Sequence, residues 1–211
     1  VVIASPAVLH YDLAKEAILA GKHVFVEKPM TLRVEHSEEL VELARKHGRM
    51  LMVGHLLLYH PCVNAIRDMI LRGEIGDVRY VYTQRLNLGK VRSDENALVS
   101  LAPHDISVIL HLIGKPPETV GATGGCFIRS DIEDVVFLSL GFAGGIRAHA
   151  HVSWLDPHKV RRITVVGSKK MVEFDDMEPH EKVRVYDKGV DRSGEFGSYG
   201  EFLTLRDGDI H

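Results

Sequence analysis

The sequence feature that most restricts the fold is a strand, helix, strand pattern that occurs twice in residues 1–54. Residues 1–6 and 23–28 form short apolar runs, and the apolar helical stripe between them ends at Gly21. A second helical pattern over 38–47 leads into the apolar run 50–54. Two consecutive units of this kind predict a parallel, right-handed α/β sheet.

The second apolar run fixes where ligands would bind. Proline cannot donate a hydrogen bond to a sheet, so Pro29 ends this strand and leaves Glu27 and Lys28 at its carboxyl end. Ligands of open α/β sheets bind at that edge. A Glu-Lys pair before a proline is by itself more typical of a solvated turn, so the wider pattern has to decide between the two interpretations.

The character of the chain changes after about residue 54. One helix is predicted to begin at Tyr59-His60-Pro61 and end at Gly73 or Gly76, and another to run from His104 to Leu112. The remaining predicted elements are strands, at 78–87, 119–127, 133–142, 145–153, 161–166, 171–174 and 183–186. Short turn sequences between several strands indicate an antiparallel sheet. The tail, 187–211, is expected to carry no closing element.

The expected fold is therefore α/β plus α+β. A partial Rossmann-like parallel sheet over 1–54 is followed over 55–211 by a mainly antiparallel sheet with helices on one face. In the strand at 133–142, alternation places Val136, Leu138 and Leu140 on one face and Phe137 on the other. One helical layer cannot cover both faces, so we expect the open face to form a homo-oligomer interface.

Composition excludes several classes of partner. The formal net charge is -3 and basic residues form no block, which argues against binding to nucleic acid or to an anionic membrane. No apolar run reaches the roughly 18 residues of a membrane span. Cys62 and Cys126 lack a CxxC spacing, so they are expected to be reduced thiols in a cytoplasmic protein.

Two groups of residues raise further possibilities. The chain has 13 histidines, and His149 and His151 alternate on one strand, where they could ligate one ion. A third ligand at a convincing spacing is missing, so no metal site is predicted. Lys159, Arg161 and Arg162 could contact a substrate phosphate, although such a cluster is also typical of a solvated strand edge.

Several motifs occur together in a fixed order. They are Ala4-Ser5-Pro6 with His10, Glu27-Lys28-Pro29, Gly54-His55 with His60-Pro61, Pro103-His104-Asp105, and Ser153-Trp154 before Arg162-Ile163 and Gly167. In this order and spacing the chain resembles the Gfo/Idh/MocA family of NAD(P)-dependent sugar and cyclitol oxidoreductases. The segments 54–61 and 101–107 look most like members acting on nucleotide sugars. The resemblance implies that 1–54 is the C-terminal part of a dinucleotide-binding Rossmann domain and 55–211 a substrate-binding and oligomerisation domain.

The resemblance also implies roles for particular residues. Oxidation of a secondary alcohol needs a base with a pKa near neutrality, and His104, expected at a helix start, suits that role. Lys28 would donate to the reacting oxygen and stabilise its developing charge. The residues expected to border NAD or NADP are Ser5, Pro6, His10, Glu27 and Lys28. Those expected to contact a sugar or cyclitol substrate are Lys28, His60, His104, Asp105 and Arg161. His60 could equally be an ordinary helix-start residue.

Two departures from the family pattern leave alternatives open. Nothing before Val1 supplies a GxGxxG phosphate loop, so we expect the chain by itself to bind nicotinamide dinucleotides poorly. Many members carry an aspartate four residues before the histidine that matches His104, and this chain has Ser100 there. The alternatives to an oxidoreductase are a non-enzymatic relic that keeps the substrate fold and a metal-dependent enzyme using the histidines.

Overall fold

The computed structural model describes residues 1–89, 91–93, 95–193 and 202–210, with the side chains of 189–207 outside the description. The chain separates into two compact units, Val1–Leu56 and Leu57–His211. Each unit has its own hydrophobic core. None of the helices in the described residues is long and apolar enough to cross a membrane.

The first unit is the predicted parallel sheet. Its elements are β1 (Val2–Ile3), α1 (His10–Leu19), β2 (Val24–Val26), α2 (Val34–Lys46) and β3 (Leu51–Val53), with a 3-10 turn at Ala7–Leu9. The strand order is β1-β2-β3 and both pairs are parallel. Ile18, Val26 and Leu40 are fully buried between the helices and the sheet. The predicted α/β fold of this unit is confirmed.

Helix α2 begins four residues before the predicted start at residue 38. Its first residue, Val34, is 69% exposed, so the opening turn contributes nothing to the apolar stripe that the sequence displays from Leu40 onward. Helical turns without a buried face carry no periodic signal, which is why the early start was missed.

The second unit is an eight-stranded sheet with two α-helices. The helices are α3 (Pro61–Leu71) and α4 (Ala97–Ile113), and the strands are β4 (Val78–Leu88), β5 (Thr119–Gly125), β6 (Val135–Gly141), β7 (Arg147–Ser153), β8 (Leu155–Gly167), β9 (Met171–Asp175), β10 (Val183–Ser193) and β11 (Phe202–Ile210). The strand order is β11-β10-β9-β8-β4-β7-β6-β5. Within the described part of this sheet only the β4 and β7 pair is parallel, so the predicted, mainly antiparallel sheet is confirmed.

The prediction that the tail lacks a closing element was wrong. Strand β10 continues to Ser193 and pairs with β11, for example at Val190 opposite Leu205. Glycine and aspartate within these segments, such as Gly189 and Gly208, lower the local strand propensity. The backbone ladder to a neighbouring strand outweighs that propensity, and a ladder partner is invisible in the local sequence.

The predicted start of α4 at His104 was also wrong. A proline inside a helix loses one backbone hydrogen bond and costs ~3 kcal/mol, so the sequence favoured a helix beginning after Pro103. The helix instead begins at Ala97, where the Asn96 side chain accepts the backbone N–H of Val99 at 3.0 Å. His104 therefore lies in the middle of the helix.

Burial of the first turns of α4 offsets the cost of its internal proline. Ala97 and Ala102 are fully buried against a cluster that includes Val136, Val152 and Trp154. The helix ends at Gly114, whose φ of 71° is a left-handed conformation that favours glycine.

The two faces of the large sheet differ in burial, as the alternation of residues along β6 predicted. Leu138 and Leu140 are buried against α3 and α4 in a core that includes Val63, Ile66 and Ile109. On the opposite face Phe137 is 51% exposed. The face that carries Phe137, together with Tyr80 and Tyr82 of β4 and His149 and His151 of β7, is called the open face below.

Candidate active site

The first part of the candidate site is the carboxyl edge of the parallel sheet. Ser5 and Pro6 follow β1, Glu27 and Lys28 follow β2, and Gly54 follows β3. Parallel strands end at the same edge, so these residues lie together, as the sequence predicted. Lys28 belongs to the loop after the central strand and is half-buried.

His10 ties two loops of this edge together. Its Nδ1 lies 2.8 Å from the carbonyl oxygen of Pro29 and its Nε2 lies 2.9 Å from that of Ser5. The ring is only 1% exposed. Carbonyl oxygens only accept hydrogen bonds, so a neutral imidazole can donate to one of them at a time. His10 therefore sets the spacing between the loops that follow β1 and β2.

The end of β3 is closely packed against side chains of β2 and of the loop that follows it. A Cβ atom added to Gly54 would lie 3.0 Å from Oε2 of Glu27 and 3.2 Å from the ring of Phe25. The carboxylate of Glu27 thus rests directly against the backbone at Gly54. Glycine at this position keeps the end of β3 close to the Glu27 side chain.

The second part of the candidate site is the middle of α4. Ser100 and His104 are four residues apart on the helix, so their side chains share one face. Both are half-buried. The Ser107 hydroxyl donates to the carbonyl oxygen of His104 at 2.8 Å. Ser100 and His104 are therefore separated by one helical turn.

A buried ion pair fixes the turn that carries His104. Asp105 accepts hydrogen bonds from Nε of Arg85 at 2.6 Å and from Nη2 at 3.4 Å. Burial raises the pKa of the Asp105 carboxyl, and the positive charges of Arg85 and Arg161 oppose that rise. The exposed fractions of the side chains are 12% for Arg85 and 1% for Asp105. Asp105 was predicted to contact the substrate, but its side chain is almost completely buried. Arg85 is the member of the pair that is partly exposed to solvent.

Arg161 is held by hydrogen bonds to neighbouring strand ends. Its Nη1 donates to the carbonyl oxygens of Leu86 at 3.0 Å and Val160 at 2.9 Å, and its Nη2 donates to Oδ1 of Asn87 at 2.9 Å. Burial lowers the pKa of Arg161, and the nearby charge of Arg85 lowers it further. Arg85 and Arg161 are cross-strand neighbours in the β4 and β8 register.

The structure divides the group of Lys159, Arg161 and Arg162, for which the sequence left open a phosphate contact or a solvated strand edge. Successive residues of a strand point to opposite faces, and Arg162 binds Asp175 at 2.8 Å on the side away from Arg161. Lys159 is exposed. The sequence analysis missed Arg85 and Asn87, although polar residues at period two in β4 were the signal that could have found them.

His60 occupies the N-terminus of α3. Its Nδ1 accepts the backbone N–H of Cys62 at 3.2 Å, and its ring lies 4.9 Å from that of Phe174. Its Nε2 lies 3.8 Å from Oδ1 of Asp176. These contacts match the helix-start interpretation, and a substrate contact stays a prediction.

His149 and His151 lie on the open face and stack on aromatic rings. The His149 ring is 5.4 Å from that of Tyr82, and the His151 ring is 4.4 Å from that of Phe137. Within the part of the chain that the structure describes, no group of three His, Cys, Asp or Glu residues is placed to hold a metal ion. The two rings take part in packing on this face.

A parallel Rossmann-type sheet with candidate functional side chains at its carboxyl edge, followed by an open-faced mixed sheet, is typical of dinucleotide-binding proteins with an α+β domain. Residues 1–55 match the family model described as an oxidoreductase family with an NAD-binding Rossmann fold, and residues 63–173 match the Gfo/Idh/MocA C-terminal domain. The chain belongs to the Gfo/Idh/MocA oxidoreductase family, as the motifs indicated.

Two relatives whose names state an activity align with most of this chain. It is 27% identical over 189 residues to UDP-N-acetylglucosamine 3-dehydrogenase of Acidithiobacillus ferrooxidans, covering 89% of this chain and 58% of that protein. It is 26% identical over 199 residues to 2,7-anhydro-N-acetylneuraminate hydratase of Escherichia coli K12, covering 88% of this chain and 54% of that protein. The chain thus spans about half the length of the curated relatives it matches.

A solved structure agrees with the fold. The WlbA dehydrogenase from Bordetella pertussis, determined in complex with NADH and UDP-GlcNAcA, superposes with a TM-score of 0.76 at 25% identity. The match covers 85% of this chain and 59% of that one.

Proposed function

We propose that the protein is an NAD(P)-dependent oxidoreductase that transfers a hydride between a secondary alcohol of a sugar-like substrate, including nucleotide sugars, and NAD or NADP. The observation that carries this proposal is the position of Lys28 directly after the central strand of the parallel sheet. Family membership and relatives that act on UDP-sugars support it. They favour it over the alternative of a non-enzymatic relic.

The residues at the carboxyl edge of the parallel sheet fit a nicotinamide dinucleotide. The edge combines Ser5 and Pro6, the Gly54 backbone and the half-buried Lys28, and His10 holds the first two loops in register. Small residues at strand ends allow a flat ligand to approach the backbone. We assign Ser5, Pro6, Glu27 and Lys28 to direct contact with the cofactor and His10 to positioning these loops. The bound nicotinamide supplies the hydride acceptor or donor.

The chemistry assigned to the chain's own residues is proton transfer and charge stabilisation. His104 accepts the hydroxyl proton of the alcohol, because an imidazole is a suitable base near neutral pH. The Lys28 ammonium donates a hydrogen bond to the same oxygen and stabilises its developing negative charge. Arg161 and His60 are assigned to the substrate, and Arg85 positions the helical turn of His104 through Asp105.

A direct test uses the complete gene product and measures reduced nicotinamide produced from NAD and NADP with a panel of UDP-hexoses, hexoses and inositols. We expect one class of substrate to be oxidised. Lys28→Ala should lower turnover by ~100- to 1,000-fold, because removal of an oxyanion donor typically costs that much. The matched control is Lys46→Ala, an exposed lysine of α2. Equal activity in the Lys28→Ala and Lys46→Ala variants would contradict the assignment.

We further propose that the protein is a homo-oligomer that associates through the open face. Aromatic rings without formal charge dominate the centre of this face, as is typical of interface cores. Sedimentation should show an oligomer that Phe137→Glu dissociates, whereas Met177→Glu, at a similarly exposed residue, should leave it intact. A folded wild-type monomer at micromolar concentration would rule this interface out.

We place the protein in the cytoplasm. Cys62 and Cys126 are both free thiols, and Cys126 is exposed. Free thiols of this kind persist in reducing compartments.

A further inference from the structure

The polar cluster beneath α4 contains more positive than negative charge. Arg85 and Arg161 are neighbours across β4 and β8, and Asp105 is the carboxylate that Arg85 binds. Asp176 also attracts Arg161, but its Oδ1 lies 2.8 Å from the ammonium of Lys182. Among the residues that the structure describes, Arg85, Arg161 and Lys182 therefore share the two carboxylates of Asp105 and Asp176, which leaves an excess of one positive charge in this part of the cluster.

The guanidinium group of Arg161 is fixed in place before any ligand binds. Its three hydrogen bonds go to the backbone oxygens of Leu86 and Val160 and to the side chain of Asn87. An arginine has five N–H donors, so two of them are not used by the residues that the structure describes. A rigid fork with unused donors is suited to binding an oxyanion.

In the ligand-free protein this arrangement has a cost in free energy. A cation that is half-buried beside another cation loses hydration without gaining a full counter-charge. The lowered pKa of Arg161, caused by burial and then by Arg85, reflects the same cost. An oxyanion bound to Arg161 would remove it.

The position of the cluster connects it to the reaction. Asp105 directly follows His104 on α4, and its carboxylate lies within the electrostatic reach of Arg161. An anion held by Arg161 would therefore lie near the helical turn that carries the assigned base.

We propose that Arg161 binds an oxyanion of the substrate, either a carboxylate on the sugar or a phosphate of the nucleotide, and thereby selects for charged sugar derivatives. This inference rests on the proposed function, because the oxyanion is part of the alcohol substrate. Arg161 would then determine specificity, while Lys28 and His104 carry out the reaction.

Binding to the 211-residue chain without cofactor tests the proposal independently of turnover. Calorimetric titrations would use UDP, UDP-N-acetylglucosamine, the uronic acid of that nucleotide sugar, and uncharged N-acetylglucosamine. Arg161→Gln should weaken binding of the recognised anion by about ten- to a hundredfold, the range for one charge-assisted contact. Arg161→Lys should recover part of the loss, because it keeps the charge without the fork.

The four ligands distinguish the two sources of the anion. If the sugar carboxylate is bound, Arg161→Gln affects only the uronic acid; if a phosphate is bound, it affects UDP and both nucleotide sugars equally. Arg162→Gln is the matched control, since it removes the same charge from the opposite face of β8. Failure of the wild type to bind any of the charged ligands, or unchanged binding in a folded Arg161→Gln variant, would overturn the proposal. Hydride transfer from an uncharged sugar to the nicotinamide at a rate that Arg161→Gln does not change would refute this inference and leave the proposed function standing.

Discussion

The two units hold their candidate functional side chains in place by different physical means. In the parallel unit Lys28 stands where a strand ends, and His10 fixes the adjoining loops through backbone carbonyls. In the mixed-sheet unit His104 lies mid-helix, and the buried pair of Arg85 and Asp105 fixes its turn. A strand end follows from local sequence, whereas the orientation of a helix depends on contacts between distant residues. The second arrangement should therefore be more sensitive to single substitutions outside the site.

The largest expected effect concerns the residue that the helix carries. His104→Ala should lower turnover by ~100- to 10,000-fold, the usual range for loss of a general base. Cofactor affinity should change little, because the assigned cofactor contacts all belong to the other unit. Steady-state kinetics with each ligand varied would show a fall in kcat, with the exposed His158→Ala as control. Full activity in the His104→Ala variant would show that His104 is not the general base.

Ion pairs give the sharpest contrast between the units. Arg85→Met leaves the Asp105 carboxylate buried without its partner, which should lower the free energy of unfolding by ~3–5 kcal/mol. The exposed pair of Lys15 and Glu39 in the parallel unit is screened by water, so Lys15→Met should leave stability unchanged. Denaturant unfolding measures both. Replacing the whole pair, with Arg85→Met and Asp105→Leu together, should recover much of the lost stability. Equal effects of Arg85→Met and Lys15→Met on stability would contradict this contrast between buried and exposed ion pairs.

Asp134 extends the comparison to acid stability. Burial by itself raises the pKa of this carboxyl, but hydrogen bonds from Trp154 Nε1 and from the backbone N–H groups of Ile128 and Phe127 outweigh burial and lower it. Its stabilising contribution is therefore present above the unfolded pKa of about 3.9 and is lost as the pH falls through the lower folded value.

Asp134→Asn should lower stability at neutral pH by ~1–3 kcal/mol, since the amide turns an N–H toward N–H donors. The variant should also show a flatter loss of thermal stability below about pH 4, because the titrating carboxyl is gone. Thermal unfolding over acidic pH tests this. An acid limb as steep as that of the wild type would show that other groups dominate.

The smallest expected effect comes from Ser100. Ser100→Asp places an anion one helical turn from His104 and should favour the imidazolium, moving the acidic limb of the pH-rate profile to higher pH by up to about one unit. Ser100→Asn keeps a similar shape without the charge and should leave the profile unchanged. The same limb in the Asp and Asn variants would mean that position 100 does not act on His104.

The candidate site of the parallel unit could be predicted from the sequence better than that of the mixed-sheet unit. Pro29 ends its strand for a reason visible in the sequence, so the sheet edge and Lys28 could be located without coordinates. Pro103 misled the prediction of α4, because the burial of Ala97 and Ala102 that compensates for it comes from distant strands. The pair of Arg85 and Asp105 joins residues 20 positions apart and leaves no local pattern. The order of the motifs identified His104 as the candidate base. The apolar periodicity, in contrast, wrongly placed His104 at the start of a helix.

The proposed reaction is hydride transfer from a sugar carbon to a nicotinamide. Its most direct test uses the sugar substrate identified in the panel, deuterated at its carbinol positions, with the nicotinamide analysed by mass spectrometry and NMR after turnover. We expect one deuterium to appear on the nicotinamide ring of the reduced cofactor, and His104→Ala to slow this transfer. Turnover that releases the deuterium to water, or leaves it in the sugar with an unlabelled nicotinamide, would contradict hydride transfer to the nicotinamide.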